Sequence, residues 1–539
     1  MRYVIPSLTC IRKISRTAKG IDVCMVNEKL NKSSDSEEQM KQPNIVFVMA
    51  DQLSAKALPF YGHKVVKAPA MSRLAREGVV FENTYCNSPL CGPSRLSMMS
   101  GLLPSKIGGY DNAPEFSSAI PTFAHYLRLA GYRTCLSGKM HFVGPDQLHG
   151  YEERLTTDIY PSDFGWTPNW SEPDAKVRFQ DMQNIIETGP CLRSLQIDYD
   201  DDVYAQAVRW LYDRSRDGSK QPFMLTVSFT SPHDPYVARP EFWDIYDESE
   251  IDLPKVPAIP LAEQDAHSAR IHEHYSICNK DITDDIIKRA RHGYYASIEY
   301  IDNKIGALVR ILEETGLLKD TIFVFASDHG DMMGERGMYY KKSFFEWSSR
   351  VPLIFWSPDR LAAKRVKETV SLLDILPTFA DISGVLDQVL ETDGNSLVPT
   401  LFGDPIDERT ILAEFLAEGI FNPTFLLIKN RMKLFYSEVD PPILFDLETD
   451  PDELINLAGD PAHTEVLKAM VAIADEAWDS KELKQRIVAD QNRRRLIQKS
   501  HQIGVPPVWD FQPYIDASQQ YVRSGQWTTE VESKAFLNC

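Results

Sequence analysis

The feature that most constrains the fold is a repeated alternation of short apolar runs with helical patterns. NIVFVMA at 44–50 precedes a helical pattern at 70–77, and the same alternation recurs along the first 360 residues. The other predicted strands are YRTCLSG at 132–138, and the largely apolar FMLTVSF at 223–229, TIFVFAS at 321–327 and VPLIFWS at 351–357. Uninterrupted apolar runs of this length are typical of strands buried on both faces. The alternation therefore predicts an α/β fold whose mainly parallel sheet is flanked by helices.

The pattern changes after about residue 405. Short apolar runs such as TFLLIKN and MKLFYS, separated by turns, predict a small antiparallel sheet. The charged segment at 481–500 predicts an exposed helix, and an irregular tail rich in aromatic residues follows it. We therefore predict a main domain over 43–405, a smaller α+β subdomain over 406–480 and a C-terminal extension over 481–539. Residues 1–42 are predicted to be a disordered or mis-annotated N-terminal extension, and Met25 or Met40 is a candidate biological start.

Charged or metal-binding residue types follow four of the predicted strands. They are Asp51, then Lys139 and His141, then His233 and Asp234, then Asp328 and His329. Each alone has an ordinary explanation, because an aspartate after a strand often caps a helix. Ligands of open parallel sheets sit at the carboxyl ends of the strands, so four such endings favour one shared site.

These residue types suit a metal ion that faces an anion. Asp51 and Asp328 favour a hard cation such as Ca²⁺ or Mg²⁺, while the imidazole of His329 leaves Mn²⁺ or Zn²⁺ open. Positive charge is added by Lys139, His141, His233 and Lys341. A metal surrounded by cations suits a tetrahedral oxyanion, and so predicts a sulfate or phosphate ester as substrate.

The sharpest motif is Cys91-Gly92-Pro93-Ser94-Arg95, which fits C-x-P-x-R. Pro93 is well placed in the first turn of a helix. Cys91 would then lie at a helix N-terminus, where backbone N–H groups favour anions. The plain alternative is a buried cysteine ahead of a helix that begins with proline.

On this motif the chain resembles the formylglycine-dependent sulfatases of the alkaline-phosphatase superfamily. The resemblance extends over SDHGDMMGERG at 327–337, Lys341, DILPT at 374–378 and LFDLETDPDELINLA at 444–458. Within that family, YDNAPEF at 110–116, the segment 136–168 and SPHDPYVARPEFWD at 231–244 are similar to choline sulfatases. The resemblance implies a sulfatase-like fold, with a C-terminal extension after about residue 480 that reaches a neighbouring subunit.

The resemblance also implies roles for the site residues. A maturation enzyme oxidises Cys91 to formylglycine, whose hydrate supplies the nucleophile. The implied metal ligands are Asp51, residue 91, Asp328 and His329, with Ca²⁺ favoured and Mg²⁺ or Mn²⁺ as alternatives. Arg95 steadies the formylglycine, Lys139 and Lys341 bind sulfate oxygens, His233 protonates the leaving alcohol and His141 accepts the proton that regenerates the aldehyde.

The predicted reaction is hydrolysis of choline-O-sulfate to choline and inorganic sulfate. Asn112, Trp166 and Glu418 match positions around the cationic head, where tryptophan offers a cation–π face and glutamate a counter-charge. Each has a plain alternative: a turn asparagine, a core tryptophan and a surface glutamate. The segment 173–188 departs from the choline pattern, which keeps open another small alkyl sulfate, or a phosphonate monoester or phosphodiester hydrolase. A non-catalytic relative would lack the nucleophile, the metal carboxylates or the lysines, and this chain has them all.

Net charge and cysteine distribution limit the kinds of binding partner and the cellular location that we expect. A formal net charge of -19 argues against nucleic-acid binding and against adhesion to an anionic membrane. Eight scattered cysteines without CxxC pairs, and the lack of an apolar run of membrane-spanning length, predict a cytoplasmic protein with reduced thiols. The aromatic tail predicts a homodimer or homotetramer.

Overall fold

The computed structural model describes residues 42–172, 180–277, 280–515 and 537. The predicted N-terminal extension lies outside the described residues except for Gln42, whose side chain donates a hydrogen bond of 2.7 Å to the Ser383 carbonyl. Residues 173–179, in the segment that departs from the choline pattern, also lie outside them, as does most of the tail.

The described strands form three sheets. In chain order they are β1 Asn44–Ala50, β2 Val79–Tyr85, β3 Arg133–Gly138, β4 Glu153–Arg154, β5 Gly189–Pro190, β6 Phe223–Ser228, β7 Val237–Ala238, β8 Thr321–Ser327, β9 Arg350–Trp356, β10 Lys364–Ser371, β11 Ile411–Phe415, β12 Thr424–Lys429, β13 Met432–Tyr436 and β14 Ile443–Asp446.

The α-helices that flank them vary from one turn to more than eight. They are α1 Pro69–Glu77, α2 Cys91–Ser100, α3 Pro104–Ile107, α4 Phe123–Leu129, α5 Gln183–Ile186, α6 Leu195–Arg216, α7 Pro240–Trp243, α8 Ala266–Tyr275, α9 Asp284–Glu314, α10 Glu346–Ser349, α11 Ile375–Ile382, α12 Val398–Leu401, α13 Thr464–Ala477 and α14 Ser480–Ile503.

The large sheet has the strand order β10-β2-β9-β8-β1-β6-β3-β4. Its neighbours pair in parallel except where β9 runs antiparallel to β2 and to β8. The prediction of a mainly parallel sheet flanked by helices is thus confirmed. The four strands with charged endings, β8, β1, β6 and β3, are consecutive and parallel, so their carboxyl ends meet at one edge.

Both faces of the large sheet are covered, as the apolar runs indicate. Along β1, Val46, Val48 and Ala50 belong to one apolar cluster, and Ile45, Phe47 and Met49 belong to the cluster on the other side. Alternate side chains of a strand point to opposite faces, so an apolar residue at every position requires a double-sided core.

The smaller sheet confirms the antiparallel prediction for the region after residue 405. Its order is β11-β12-β13-β14, and each strand pairs antiparallel with the next. The domain boundaries at 405 and 480 stay predictions. Among the described residues, none of the helices is both long enough and apolar enough to cross a membrane.

The prediction of an exposed helix at 481–500 is wrong for one face of that helix. α14 spans Ser480–Ile503 and buries Leu483, Ile487, Gln491 and Arg494. These residues recur every three or four positions, which places them on one helical face. Because two of them are polar, hydrophobic patterning alone did not mark the buried stripe.

Candidate active site

Strand register brings two of the predicted carboxylates together. Ala50 pairs with Ser327, so Asp51 and Asp328 follow neighbouring strands at the same level. Helix α2 begins at Cys91, and Arg95 lies one turn further along it. The sheet edge and the N-terminus of α2 therefore supply the centre of the site.

Asp51, Cys91, Asp328 and His329 each offer one ligand atom, and the four atoms all lie within 4.8 Å of one another. The Cys91 Sγ is 3.1 Å from His329 Nε2 and 3.7 Å from Asp51 Oδ1. All four side chains are buried. Two carboxylates and an imidazole converging on one point fit a single divalent cation, with carboxylate oxygens favouring a hard ion.

Arg95 forms hydrogen bonds to both carboxylates of this cluster. Its guanidinium donates to Asp328 Oδ2 at 2.7 Å and to Asp51 Oδ2 at 3.0 Å. It also donates to the Lys139 carbonyl at 2.7 Å and to Ser228 Oγ at 2.8 Å. One fully buried arginine thus ties together α2 and the ends of four strands, a geometry that only the planar guanidinium fork provides.

The electrostatics of the cluster favour anions at both Asp51 and residue 91. Burial and the neighbouring Cys91 raise the pKa of Asp51, but Lys139 and Arg95 outweigh them and lower it to about 2. Burial also raises the pKa of the Cys91 thiol, yet Lys139, Lys341 and His329 hold that pKa well below its usual range. A negative group at position 91 is therefore stabilised by the surrounding cations.

The two predicted sulfate-binding lysines both lie beside this centre. Lys139 forms an ion pair with Asp51 and lies 4.2 Å from the centroid of the Tyr160 ring. Lys341 donates to the Gln52 side chain, and its Nζ is 2.6 Å from His233 Nε2. Burial lowers the pKa of Lys341, but Cys91 and Asp234 reverse this and raise it. Lys341 therefore remains a cation.

The two predicted proton-transfer histidines have different partners. His233 Nδ1 is 2.8 Å from the Asp234 carbonyl, and cationic Lys341 faces its Nε2, so Nδ1 donates and Nε2 accepts. His141 Nε2 lies 3.0 Å from the Asn112 carbonyl, while its Nδ1 has no hydrogen-bond partner among the described residues. The His141 ring is near enough to Cys91 to help lower the pKa of that thiol. In the tautomer that donates to Asn112, His141 Nδ1 is an acceptor.

A cavity of about 430 Å³ opens onto Cys91. Its lining contains Cys91, Asn112, Trp166, His233, Lys341 and Glu418, all predicted as site residues, together with Leu90, Tyr160, Gln180, Asp181, Asn184, Gln196, Asp234, Pro235 and Lys342. The remaining predicted residues lie behind the cavity wall, in the metal-type cluster and beside it. The structure thus brings every predicted site residue to one region.

The three predicted choline-pocket residues differ in their surroundings. The Asn112 side-chain carbonyl accepts from the Gly92 N–H at 2.9 Å, so this asparagine also fixes the start of α2. Trp166 packs against Tyr160, with ring centroids 5.0 Å apart. Glu418 is buried, and its Oε1 is 2.8 Å from Lys342 Nζ. Glu418 is therefore a paired buried carboxylate rather than a surface glutamate.

Sequence reasoning missed several residues of the cavity. Tyr160 lies within the 136–168 segment, yet nothing in its spacing singled it out. Lys342 directly follows the predicted Lys341 and was not distinguished from it. Gln180 and Asn184 donate to Asp234 at 2.7 and 2.5 Å, from a segment that departs from the choline pattern.

Comparison with known proteins agrees with the site. Residues 43–385, more than half of the chain, match the sulfatase family model. Residues 334–478 match the C-terminal model of N-sulphoglucosamine sulphohydrolase, and residues 485–535 match the choline sulfatase C-terminal model. The chain is 45% identical over 495 residues to a choline-sulfatase of Rhizobium meliloti, covering 90% of this chain and 96% of that protein.

Two further proteins match the chain, one in sequence and one in fold. Arylsulfatase K of Homo sapiens is 30% identical over 447 residues, covering 78% of this chain and 79% of that protein. The phosphonate monoester hydrolase of Agrobacterium radiobacter superposes with a TM-score of 0.64 at 23% identity, covering 83% of this chain and 96% of that one, and shows the fold alone. The resemblance found in the sequence is confirmed: the chain belongs to the sulfatase family and is a sulfuric ester hydrolase.

Proposed function

We propose that this enzyme hydrolyses choline-O-sulfate to choline and inorganic sulfate. The observation that carries the proposal is the buried cluster of Asp51, Cys91, Asp328 and His329, which opens onto a cavity lined by Trp166. The 45% identity to a choline-sulfatase over 90% of the chain and the match at 485–535 support choline as the alcohol.

The nucleophile in this proposal is a formylglycine made from Cys91 by a formylglycine-generating maturation enzyme. Asp51, residue 91, Asp328 and His329 would hold a divalent cation, with Ca²⁺ favoured over Mg²⁺ and Mn²⁺ because two ligands are carboxylates. When formed and bound, the formylglycine hydrate supplies a hydroxyl nucleophile and the cation supplies Lewis-acid polarisation of the sulfate. Arg95 keeps both carboxylates in place.

The chain's own cations complete the chemistry. Lys139, paired with Asp51, and Lys341, which lines the cavity beside Cys91, are assigned to neutralise the oxygens of a bound sulfate ester. His233 is assigned to protonate the departing alcohol, a role for which its Nε2, 2.6 Å from Lys341 Nζ, must carry a proton in the substrate-bound enzyme. His141 accepts the proton when sulfate leaves, since its buried Nδ1 has no hydrogen-bond partner among the described residues.

The choline head is assigned to the part of the cavity near Trp166, Asn112 and Glu418. Trp166 offers a cation–π face, and Tyr160 extends the aromatic wall. The alternative substrates are another small alkyl sulfate or a phosphonate monoester. The phosphonate alternative has support only from the fold, because the matching structure is 23% identical.

The test compares kcat/KM on choline-O-sulfate, 4-nitrophenyl sulfate and a phenyl phosphonate monoester. Choline-O-sulfate is expected to be the best substrate. A higher kcat/KM on the phosphonate would contradict the proposal. Cys91→Ala should abolish turnover and leave the fold intact, as judged by circular dichroism, because the proposed nucleophile is made from residue 91.

Assembly and location belong to the same proposal. The end of α14 and the following residues expose apolar side chains, with Ile503 89%, Val505 94% and Tyr514 88% exposed. Burying such a stretch against another copy supports a homodimer or homotetramer, which light scattering measures directly. Cys86, Cys91, Cys135 and Cys191 are free thiols, which suits the cytoplasm.

A further inference from the structure

Lys342 is a second buried lysine of the cavity, and the chemistry above does not use it. Its Nζ lies 2.8 Å from Glu418 Oε1, and the two side chains are only 2% and 7% exposed. Both residues line the cavity that opens onto Cys91. The carboxylate assigned as counter-charge for a cationic leaving group therefore already has a cation of its own.

The backbone and side-chain contacts of Lys342 fix it in this position. Its N–H donates to the Pro89 carbonyl at 3.1 Å, and its carbonyl is 2.7 Å from His267 Nε2. Its Nζ is 3.1 Å from His274 Nε2 and 4.7 Å from the centroid of the Tyr275 ring. An ammonium held by a carboxylate, an imidazole and an aromatic face is not free to leave Glu418.

Two other buried carboxylates near the cavity, Asp234 and Asp111, also have polar partners. Asp234 is 3.2 Å from His233 and accepts from Gln180 and Asn184. Asp111, behind Asn112, accepts from Arg494 at 2.9 and 2.7 Å. Asp181 also lines the cavity but is exposed to solvent. Among the described residues, a cation in the buried part of the cavity therefore meets a neutral Lys342–Glu418 pair and an aromatic wall.

We propose that Lys342 determines leaving-group specificity by neutralising Glu418, so that the cavity selects small alkyl sulfates by size and aromatic contact more than by positive charge. This inference rests on the proposed sulfatase function and refines its substrate class. It places choline-O-sulfate within a wider set of branched alkyl sulfates that the enzyme accepts.

The experiment compares choline-O-sulfate with 3,3-dimethylbutyl sulfate, in which a carbon atom replaces the quaternary nitrogen. The quantity measured is the ratio of the two kcat/KM values. In the wild-type enzyme the ratio should stay below about tenfold, the scale of one cation–π contact. K342M frees Glu418 and should raise the ratio about tenfold further, whereas the charge-conserving control K342R should leave it unchanged.

The double variant K342M/E418Q removes both charges and leaves no unpaired buried ion, so it protects against a folding failure of K342M. Its ratio should lie within about threefold of the wild-type ratio, because a neutral pair replaces a neutral pair. An unchanged ratio in K342M, or a fall of more than about tenfold in the double variant, would overturn the proposal.

A failure of the sulfatase proposal is distinguishable from a failure of this one. If no variant releases sulfate from any ester, including 4-nitrophenyl sulfate, the same comparison uses the Kd values of choline and 3,3-dimethylbutanol, measured by calorimetry. A preference for choline that increases in K342M supports the role of Lys342, and an unchanged preference overturns it.

Discussion

Replacing Arg494 with methionine should destabilise the protein and impair the active site at a distance. The Arg494 guanidinium on α14 donates to both carboxylate oxygens of Asp111, at 2.9 and 2.7 Å. The two side chains are 4% and 0% exposed. R494M therefore leaves a buried carboxylate without its cation, which costs about 3–5 kcal/mol of unfolding free energy.

The pH dependence gives this prediction a second readout. Burial raises the pKa of Asp111 even with Arg494 in place, and losing the arginine should raise it further. A carboxyl group whose pKa is raised on folding favours the folded state at low pH and loses that contribution as pH rises through the folded pKa. The difference in stability between wild type and R494M should therefore narrow as the pH falls.

Activity should fall with stability because Asp111 precedes Asn112. The Asn112 side chain accepts from Gly92, and its carbonyl faces His141. A displaced Asn112 shifts both the start of α2 and the proton acceptor, so we expect kcat/KM to fall about tenfold or more.

The assay is urea denaturation followed by tryptophan fluorescence, with kcat/KM measured on the same samples. R493M is the matched control, since Arg493 is the exposed neighbour on the same helix. D111N/R494M, which removes both charges, should recover most of the lost stability. If R494M loses no more stability than R493M, within about 0.5 kcal/mol, the reasoning is refuted.

Three further predictions follow from other contacts. H233N should lower kcat about 10²-fold on choline-O-sulfate but far less on 4-nitrophenyl sulfate, because only the alkoxide leaving group needs a proton donor. Equal losses of kcat on both substrates would show that His233 is not the proton donor. Dialysis against a chelator should lower the melting temperature and abolish turnover, because a metal that binds the folded protein stabilises the folded state. Ca²⁺ should restore both better than Mg²⁺. An unchanged melting temperature would argue against a metal at Asp51 and Asp328. K433M should cost about 3–5 kcal/mol in urea denaturation, because Lys433 is fully buried between Glu346 and Glu453 at 2.9 Å from each; the exposed control K468M should cost almost nothing.

Much of the fold was predictable because short apolar runs recur along the first 360 residues. The runs at 44–50, 223–229 and 321–327 have apolar residues at nearly every position, a pattern that only a double-sided core satisfies. Parallel strands align their carboxyl ends, so residues that follow such strands converge even when they are hundreds of positions apart. The centre of the site followed from these two facts and the Cys91 motif.

The remaining features depend on tertiary pairing, which local sequence does not encode. Glu418 and Lys342 are far apart in sequence, and nothing in their neighbours indicates that they form a buried ion pair. The buried stripe of α14 includes Arg494, whose burial is tolerated because its guanidinium pairs with Asp111 and Asp490. The hydrophobic pattern of such a helix predicts that it is exposed to solvent. The contact between Arg494 and Asp111 therefore could not be predicted from it.

The central claim is that oxidised Cys91 cleaves choline-O-sulfate. It is tested most directly by measuring inorganic sulfate released from choline-O-sulfate by preparations whose formylglycine content at residue 91 is known from peptide mass spectrometry. Turnover should rise in proportion to the formylglycine fraction and vanish in C91A. Equal sulfate release from unmodified protein, or none from fully converted protein with Ca²⁺ supplied, would contradict the account.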